Sequence, residues 1–446
     1  MGLSTPVLPG LLSRHTADAL VATGIVSRTA GELLSDAHAI ARAMPGDIAG
    51  REVVLVADDR YVFAAALVAC TIRGAIAALP PSAQPEMVRE IRHRENVVTV
   101  LHDRSGMLGI DLRGILEKTV PVPFAPLAPL DPSQPMVDVY TSGTTGTPMR
   151  CPKTAGQLIG EADTLRGMFA IGPGTPIIAT VPPHHVYGLL FGVLLPLVSG
   201  ASFARETVLH GEPLAGLVRR DGARALVSVP AHLRALRSLD AGALPVLDRV
   251  FSSGAPLPRE TYDDLLARFG WRVTSAYGSS ETGGIGHRSH PDDPWTLFTG
   301  VTIAIGDDER LLVDSPFVDP GAPRPFPTGD RVERVGEDGF RLLGRVDGVL
   351  KIGGTRVSIA EVEHRLLAVP GIDDAAVIAV EVGGARGTEV WAVVVSKEHR
   401  DARSVRHALV PFLEPVVLPS RVRVVDALPR DGAGKVRRAD LRALFD

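Results

Sequence analysis

Cysteine is nearly absent from this chain: Cys70 and Cys151 are the only two in 446 residues. That excludes a disulfide framework or a structural zinc site built mainly from thiolates, and it fits a reducing cytoplasm. Charge of one sign is also lacking. Lys and Arg number 47 against 51 Asp and Glu, for a formal charge of -4, which excludes a general electrostatic grip on nucleic acid and leaves any anion to local groups. No apolar run reaches the ~20 residues of a bilayer span; Tyr187 to Val198 is shorter and is interrupted by Pro196. The opening residues lack a basic segment followed by an apolar stretch and a cleavage site, so secretion is not expected. No internal repeat or low-complexity tract is present.

Hydrophobic residues make up 45% and charged residues 22% of the chain, enough to pack a sizeable core. Thr29 with Glu32 forms a capping-box pattern ahead of a helix to Met44. Arg51 to Ala57 is strand-like, Tyr61 to Arg73 helical and Ala75 to Leu79 a short apolar run, which is a βαβ rhythm. Val137 to Tyr140, Pro176 to Val181, Ala225 to Val229 and Arg249 to Ser252 continue as buried strands, with helices over Gly156 to Met168 and Arg259 to Phe269 between them. The fold class is α/β, with a large parallel or mixed sheet. Val120 to Pro132 reads as a surface crossing, and Gly339 to Val357 as short strands around glycines. The boundary falls near Asp347, giving domains 1–346 and 347–446. The second is a small α+β domain with a helix from Ile359 to Val369, strands at Asp374 to Glu381 and Glu389 to Ser396, and a helix from Ser404 to Leu413.

The most specific motif is Tyr140-Thr141-Ser142-Gly143-Thr144-Thr145-Gly146-Thr147-Pro148, directly after a strand. Glycines allow close backbone approach, and amides and hydroxyls donate to phosphate oxygens. It is not the GxxxxGK[ST] loop. This motif resembles the phosphate loop of the adenylate-forming enzyme superfamily, which includes acyl-CoA synthetases, aryl acid ligases, luciferases and peptide-synthetase adenylation domains. The likeness runs in order to Lys435, and it implies a stand-alone ligase with a shortened N-terminal part and a small mobile C-terminal domain.

The resemblance implies further roles along the chain. In Pro182 to Gly188, His185 lies by the substrate carboxylate, with Tyr187 and Gly188 at the acid pocket. Gly254, Ala255 and Pro256 match a turn on adenine. In Ala276 to Glu281, Tyr277 stacks on the purine beside Gly278, Ser280 donates to the α-phosphate and Glu281 holds Mg2+. Ser228 to His232, Gly254 and Gly283, Gly284 and Ile285 border the acid pocket. Asp330 binds the ribose hydroxyls, Arg345 lies near ribose and phosphate, and Asp347 is the hinge. Gly354 lines a thiol tunnel, and Lys435 bridges the substrate carboxylate and the α-phosphate. ATP, Mg2+ and coenzyme A or phosphopantetheine are the implied cofactors, with a small carboxylic acid as substrate and no nucleic acid or membrane span.

The family usually places Lys directly after the loop proline, but here Met149 and Arg150 follow Pro148. Arg150 or Lys153 is therefore expected to supply the missing charge. Cys151 reads as a small packing residue with no base beside it. The reading is an AMP-forming ligase passing the acyl group to a thiol, an aryl acid being favoured over a fatty acid. A carrier-protein acceptor would be a separate chain. A catalytically silent nucleotide-binding protein is the alternative of another class.

Overall fold

The computed structural model describes residues 8–81, 83, 85–142, 148–208, 211–345, 349–352, 355–382, 388–398, 400–410, 413, 418–431 and 434–446. The fold is α/β, a large N-terminal part of packed mixed sheets and helices and a small C-terminal α+β part. The chain divides into two compact units. One holds Met1–Asp293, Leu297–Val301 and Ser315–Ala322; the other holds Pro294–Thr296, Thr302–Asp314 and Pro323–Asp446. The boundary expected at Asp347 lies outside the described residues.

Local chemistry sets the helix ends. The Thr29 side chain accepts from the Glu32 amide while the Glu32 carboxylate accepts from the Thr29 amide at 2.8 Å, so helix Ala30–Ala43 begins with two orphan donors satisfied. Thr29→Ala is expected to cost about 1 kcal/mol, read as a lower urea midpoint at unchanged slope. A second box, Thr154 with Gln157, starts helix Ala155–Phe169. Gly74, at φ 63°, closes helix Arg60–Arg73 in a left-handed cap.

Two sheets make up the first unit. One runs Ile110–Asp111, Val97–His102, Glu52–Val56, Ile76–Leu79, Pro135–Ser142 and Pro148–Thr154. The other runs Gly283–Arg288, Val273–Ser279, Arg249–Ser252, Ala225–Ser228, Pro176–Ala179, Ser202–Ala204, Leu20–Thr23 and Arg28–Thr29. Their central strands are parallel and buried on both faces, which is why Glu52–Val56 and Ala225–Ser228 read as near-continuous apolar runs. Arg60, wholly buried at the start of its helix, ties one sheet to the other. Its guanidinium donates to the carbonyls of Ala179, Val181 and Ala204 and to the Thr207 hydroxyl.

In the second unit, Thr302–Ile305, Arg310–Asp314, Phe326–Val335 and Gly339–Arg345 pair antiparallel in succession. A separate sheet of Asp374–Glu381, Thr388–Val395 and Arg421–Val425 follows. Val377, Val390, Ala392 and Val394 on one face pack against Val362 and Leu366 of helix Ile359–Leu367 and Val405 and Leu409 of helix Ala402–Leu409. Ile378, Trp391 and Val393 face the other way, onto Leu428 and Leu441. The period-2 alternation of a strand is thus used on both sides.

Candidate functional site

The chain order of the parallel strands locates a crevice. From Pro176–Ala179 the chain crosses to Ser202–Ala204 on one side, and then returns to Ala225–Ser228 on the other. Connections therefore leave the carboxyl ends of Pro176–Ala179 and Ala225–Ser228 in opposite directions, the arrangement that opens a ligand crevice in α/β sheets. Thr180 and Ser228 occupy those ends, both fully buried. The Thr180 hydroxyl lies 2.9 Å from the Ser228 hydroxyl and 2.9 Å from His232 Nδ1. The buried Ser252 hydroxyl ends the next strand without a hydrogen bond. The Tyr187 hydroxyl faces the Ser228 amide without a well-aligned one, and burial raises its pKa. His184 and His185 precede the short helix Val186–Leu189 with ring centroids 4.4 Å apart. Desolvation, together with His185 and Arg104, lowers the His184 pKa to about 3, so this ring is neutral at working pH. Gly188 is glycine for a packing reason: a Cβ there would meet the Pro182 carbonyl at 2.1 Å.

A ring of aromatic side chains adjoins this crevice. Phe191 packs on Tyr187 and Phe251 at centroid distances of 4.9 and 5.1 Å, and Phe169 contacts Phe251, His287 and Phe298. Phe298 approaches Gly284 so closely that a Cβ there would lie 2.2 Å from its ring.

The Tyr277 to Glu281 motif forms a hairpin. Strands Val273–Ser279 and Gly283–Arg288 pair antiparallel, and Gly278 is required because a Cβ would fall 2.2 Å from the Gly283 carbonyl. Ser279 and Thr282 lock the turn: the Ser279 amide donates to the Thr282 hydroxyl at 3.1 Å, and the Thr282 amide to the Ser279 hydroxyl at 3.2 Å. Ser280 and Glu281 lie between them, with Glu281 exposed. Gly254 makes its own turn at φ 84°, beside Ser253, whose hydroxyl donates to the Ala276 carbonyl at 2.8 Å.

Among the described residues no group of three His, Cys, Asp or Glu can hold a metal by itself. One exposed carboxylate on a fixed turn fits Mg2+ that arrives on a polyphosphate, since this ion takes one or two carboxylates plus phosphate and water oxygens.

Strands Pro135–Ser142 and Pro148–Thr154 pair antiparallel as far as Ser142 opposite Pro148, so the described residues of the phosphate-loop motif stand at the ends of these two strands. Gly143, Thr144, Thr145 and Gly146 lie outside the described residues, as does the Ser142 side chain; Thr141 is described, half-buried. The two cations expected to serve the loop are already engaged. Arg150 Nε is 2.8 Å from Asp138, which is buried, and 3.7 Å from Glu52. Desolvation raises the Asp138 pKa to about 6 against the pull of Arg150. Lys153, only 3% exposed, donates to the carbonyls of Glu281 at 3.1 Å and Phe317 at 3.2 Å. The Cys151 thiol, pushed up to about 11 mainly by burial, donates to the Ser280 carbonyl, which suits a packing residue.

Glu161, on helix Ala155–Phe169, is the group the sequence reading missed. It is buried, and its Oε1 accepts from the Gly284 amide at 2.7 Å. Burial pushes its carboxyl up to about 7, opposed by that hydrogen bond and by Lys153. The folded protein thus holds this proton over a pH range in which the unfolded chain has lost it. Stability therefore falls as pH rises from about 4.5 to about 7. Glu161→Gln, which keeps the acceptor, is expected to match the parent near pH 4.5 and to exceed it by roughly 3 kcal/mol at pH 8, measured by urea unfolding at both.

In the second unit, the Asp330 amide donates to the Thr328 hydroxyl at 3.1 Å, and that hydroxyl to the Leu311 carbonyl at 3.0 Å. Asp330 is the register partner of Arg345, whose side chain lies outside the described residues, as do Asp347 and Gly354. Lys435 is exposed. Its amide donates to the Asp431 carboxylate at 2.9 Å, and the Asp431 amide donates to its carbonyl at 2.8 Å.

A cavity of about 300 Å³ lies in the first unit, near the carboxyl ends of Glu52–Val56 and Val97–His102. Its guanidiniums all face carboxylates: Arg28 with Glu32, Arg113 with Asp111, Arg205 with Asp59.

Residues 13–323 match the family model described as AMP-binding enzyme, and residues 361–435 match the AMP-binding enzyme C-terminal domain. A 4-coumarate–CoA ligase of Rhodobacter capsulatus is 33% identical over 67% of this chain and 74% of its own length. A probable 2-succinylbenzoate–CoA ligase of Mycobacterium tuberculosis is 32% identical over 69% and 84%. An L-proline–[L-prolyl-carrier protein] ligase of Pseudomonas fluorescens is 27% identical over 67% and 66%. In fold, the chain is similar to ATP-bound MatB from Rhodopseudomonas palustris, with a TM-score of 0.83 at 21% identity over 96% of both chains.

Proposed function

The chain belongs to the AMP-binding enzyme family, and on that premise we propose that it is an AMP-forming acid–thiol ligase acting on an aryl acid. A carboxylate oxygen of the acid attacks the α-phosphorus of ATP and pyrophosphate leaves. The thiol of coenzyme A or of a carrier's phosphopantetheine then attacks the acyl-adenylate carbonyl, and AMP leaves. The observation that carries this reading is the turn locked by Ser279 and Thr282, which fixes the main chain and exposes the Glu281 carboxylate.

Each residue has a positioning or charge-neutralising task, since transfer at phosphorus needs little covalent help from the protein. Ser280 donates to the α-phosphate, Tyr277 stacks on adenine beside Gly254, Ala255 and Pro256, and Asp330 takes the ribose hydroxyls. When bound, Mg2+ neutralises phosphate charge, and Glu281 is the residue that would hold it. His185 orients the acid, and Lys435 neutralises charge developing between carboxylate and α-phosphate. Of the two basic residues near the loop, Arg150 keeps an exposed side chain and is assigned to phosphate; Lys153 is not. The domains part at Asp347 and Gly354 lines the thiol passage. A cytoplasmic location completes the reading.

The aromatic ring of Tyr187, Phe191, Phe251 and Phe298 beside the crevice supports a flat acid, as does likeness to ligases named for 4-coumarate and 2-succinylbenzoate. Among the described residues no helix is long and apolar enough to cross a membrane. The test is ATP–pyrophosphate exchange over hydroxycinnamates, benzoates and straight-chain acids, followed by AMP release with CoA or a phosphopantetheinylated carrier. Exchange strongest with an aryl acid is expected. Exchange with none of the acids sinks the ligase reading, and a preference for straight chains corrects the substrate.

A further inference from the structure

The helix and strand behind the Glu281 turn carry polar side chains with no place in the reaction just described. Along one continuous stretch, Cys151 and Lys153 share a face of a strand, and Gln157 and Glu161 are one helical turn apart on the helix that follows. The Cys151 thiol donates to the Ser280 carbonyl at 3.1 Å. The Lys153 ammonium donates to the Glu281 and Phe317 carbonyls, the Gln157 amide to the Phe317 carbonyl at 3.0 Å, and the Glu161 carboxylate accepts from the Gly284 amide. Lys153, Gln157 and Glu161 are each 3% exposed.

The fit is close on the receiving side. A Cβ on Gly283 would meet Glu161 Oε2 at 2.6 Å and Phe317 Cβ at 2.7 Å, and Gly283 itself sits at φ 66°. Its glycine is thus set by the brace as well as by the turn. The contacts are to main-chain atoms of residues 280, 281 and 284, which fix the backbone, and the Glu281 side chain itself stays exposed.

We propose that Lys153 is a positioning residue: by holding the Glu281 carbonyl from inside the fold, together with Phe317, it sets where the Glu281 carboxylate stands for nucleotide-borne Mg2+. This rests on the reading of Glu281 given above. Lys153 touches neither substrate nor metal in this role. The geometry distinguishes it from a lysine displaced along the phosphate loop, because its ammonium is buried on carbonyls of other segments and an arriving phosphate would have to take it from both. Gln157, whose side-chain amide donates to the Phe317 carbonyl that Lys153 also holds, is the internal control.

The experiment is a titration of the full-length protein with Mn2+ in the presence of ATP, followed by water-proton relaxation, for the parent, Lys153→Met, Lys153→Gln and Gln157→Leu, with thermal melts of each. Lys153→Met is expected to weaken the half-saturation for the metal about tenfold and Lys153→Gln less, with Gln157→Leu lowering the melting temperature but leaving metal binding within twofold. ATP affinity at saturating metal should return to the parent value. A Lys153→Met that lowers the melting temperature alone overturns the proposal. So does a loss of ATP affinity that saturating metal does not restore, which would make Lys153 a direct phosphate contact. If Lys153→Met does not fold, an unchanged half-saturation in Lys153→Gln overturns it equally. Relaxation needs no acid and no turnover, so a parent protein that binds Mn2+–ATP yet exchanges pyrophosphate with no acid would sink the ligase reading while leaving this proposal to stand or fall on the variants.

Discussion

Lys435→Ala is expected to lower acid-dependent ATP–pyrophosphate exchange by at least 100-fold while leaving thiolysis of a chemically supplied acyl-adenylate within a few-fold of the parent. Removing one preorganised group that meets developing negative charge costs roughly 10²–10³ in rate. The local structure makes this a clean deletion. Arg430 and Val436 bridge across the loop, the Asp431 carboxylate accepts from the Lys435 amide, and Arg430 donates to the Gly434 carbonyl and to Asp374 at 2.6 Å. The backbone is held without the Lys435 side chain, which is exposed, so alanine removes the charge and little else. Equal losses in both half-reactions, or a loss in neither, would show that the assignment of Lys435 to adenylation is wrong.

Arg60→Met is expected to cost about 3 kcal/mol or more of stability, because it takes a charged donor from three buried carbonyls at once. Desolvation lowers the Arg60 pKa to about 10, with Asp59 and Glu206 opposing, so the guanidinium stays charged in the folded protein near neutral pH. Without it, the carbonyls of Ala179, Val181 and Ala204 lose their donors inside the protein, each a penalty of about 1–3 kcal/mol where no water replaces it. Arg60→Lys is expected to recover only part of the loss, because an ammonium cannot span acceptors arranged for a planar fork. Urea unfolding of the three proteins at pH 7 checks this; a methionine variant within 1 kcal/mol of the parent would show that water or repacking satisfies those carbonyls. Val181 and Thr180 adjoin the candidate crevice, so the folded fraction of Arg60→Met should also show a raised KM for the acid.

Much of the architecture was legible because it depends on local periodicity and on side chains that act on their own backbone. The Thr29–Glu32 box, helix Arg259–Phe269 and strands Arg249–Ser252 and Asp374–Glu381 stand where residue pattern put them. Helix ends were less legible: the one expected over Ser404 to Leu413 occupies Ala402–Leu409, where Asp401 caps it through the Ser404 amide. The strand Pro148–Thr154 is not legible in the residue pattern. Two prolines within seven residues obscure its alternation, and only its pairing with Pro135–Ser142 makes it a strand.

The candidate site divides the same way. Residue types in order, Tyr277 to Glu281, Thr328 to Asp330 and Lys435 among them, carry their chemistry in their side chains and are visible in one dimension. The roles of Arg60, Lys153 and Glu161 are not, because their partners are main-chain atoms, which look alike at every residue. The two carbonyls held by Lys153 belong to residues 128 and 164 positions further along the chain. A basic residue close to a phosphate loop in sequence is drawn instead onto whatever acceptors the folded backbone buries beside it. The sequence alone determined the fold class, the order of the elements and the chemical types available to the site. Strand order and register, acting through burial, decided which of those charges remain at the surface for a ligand and which are committed to holding the chain in place.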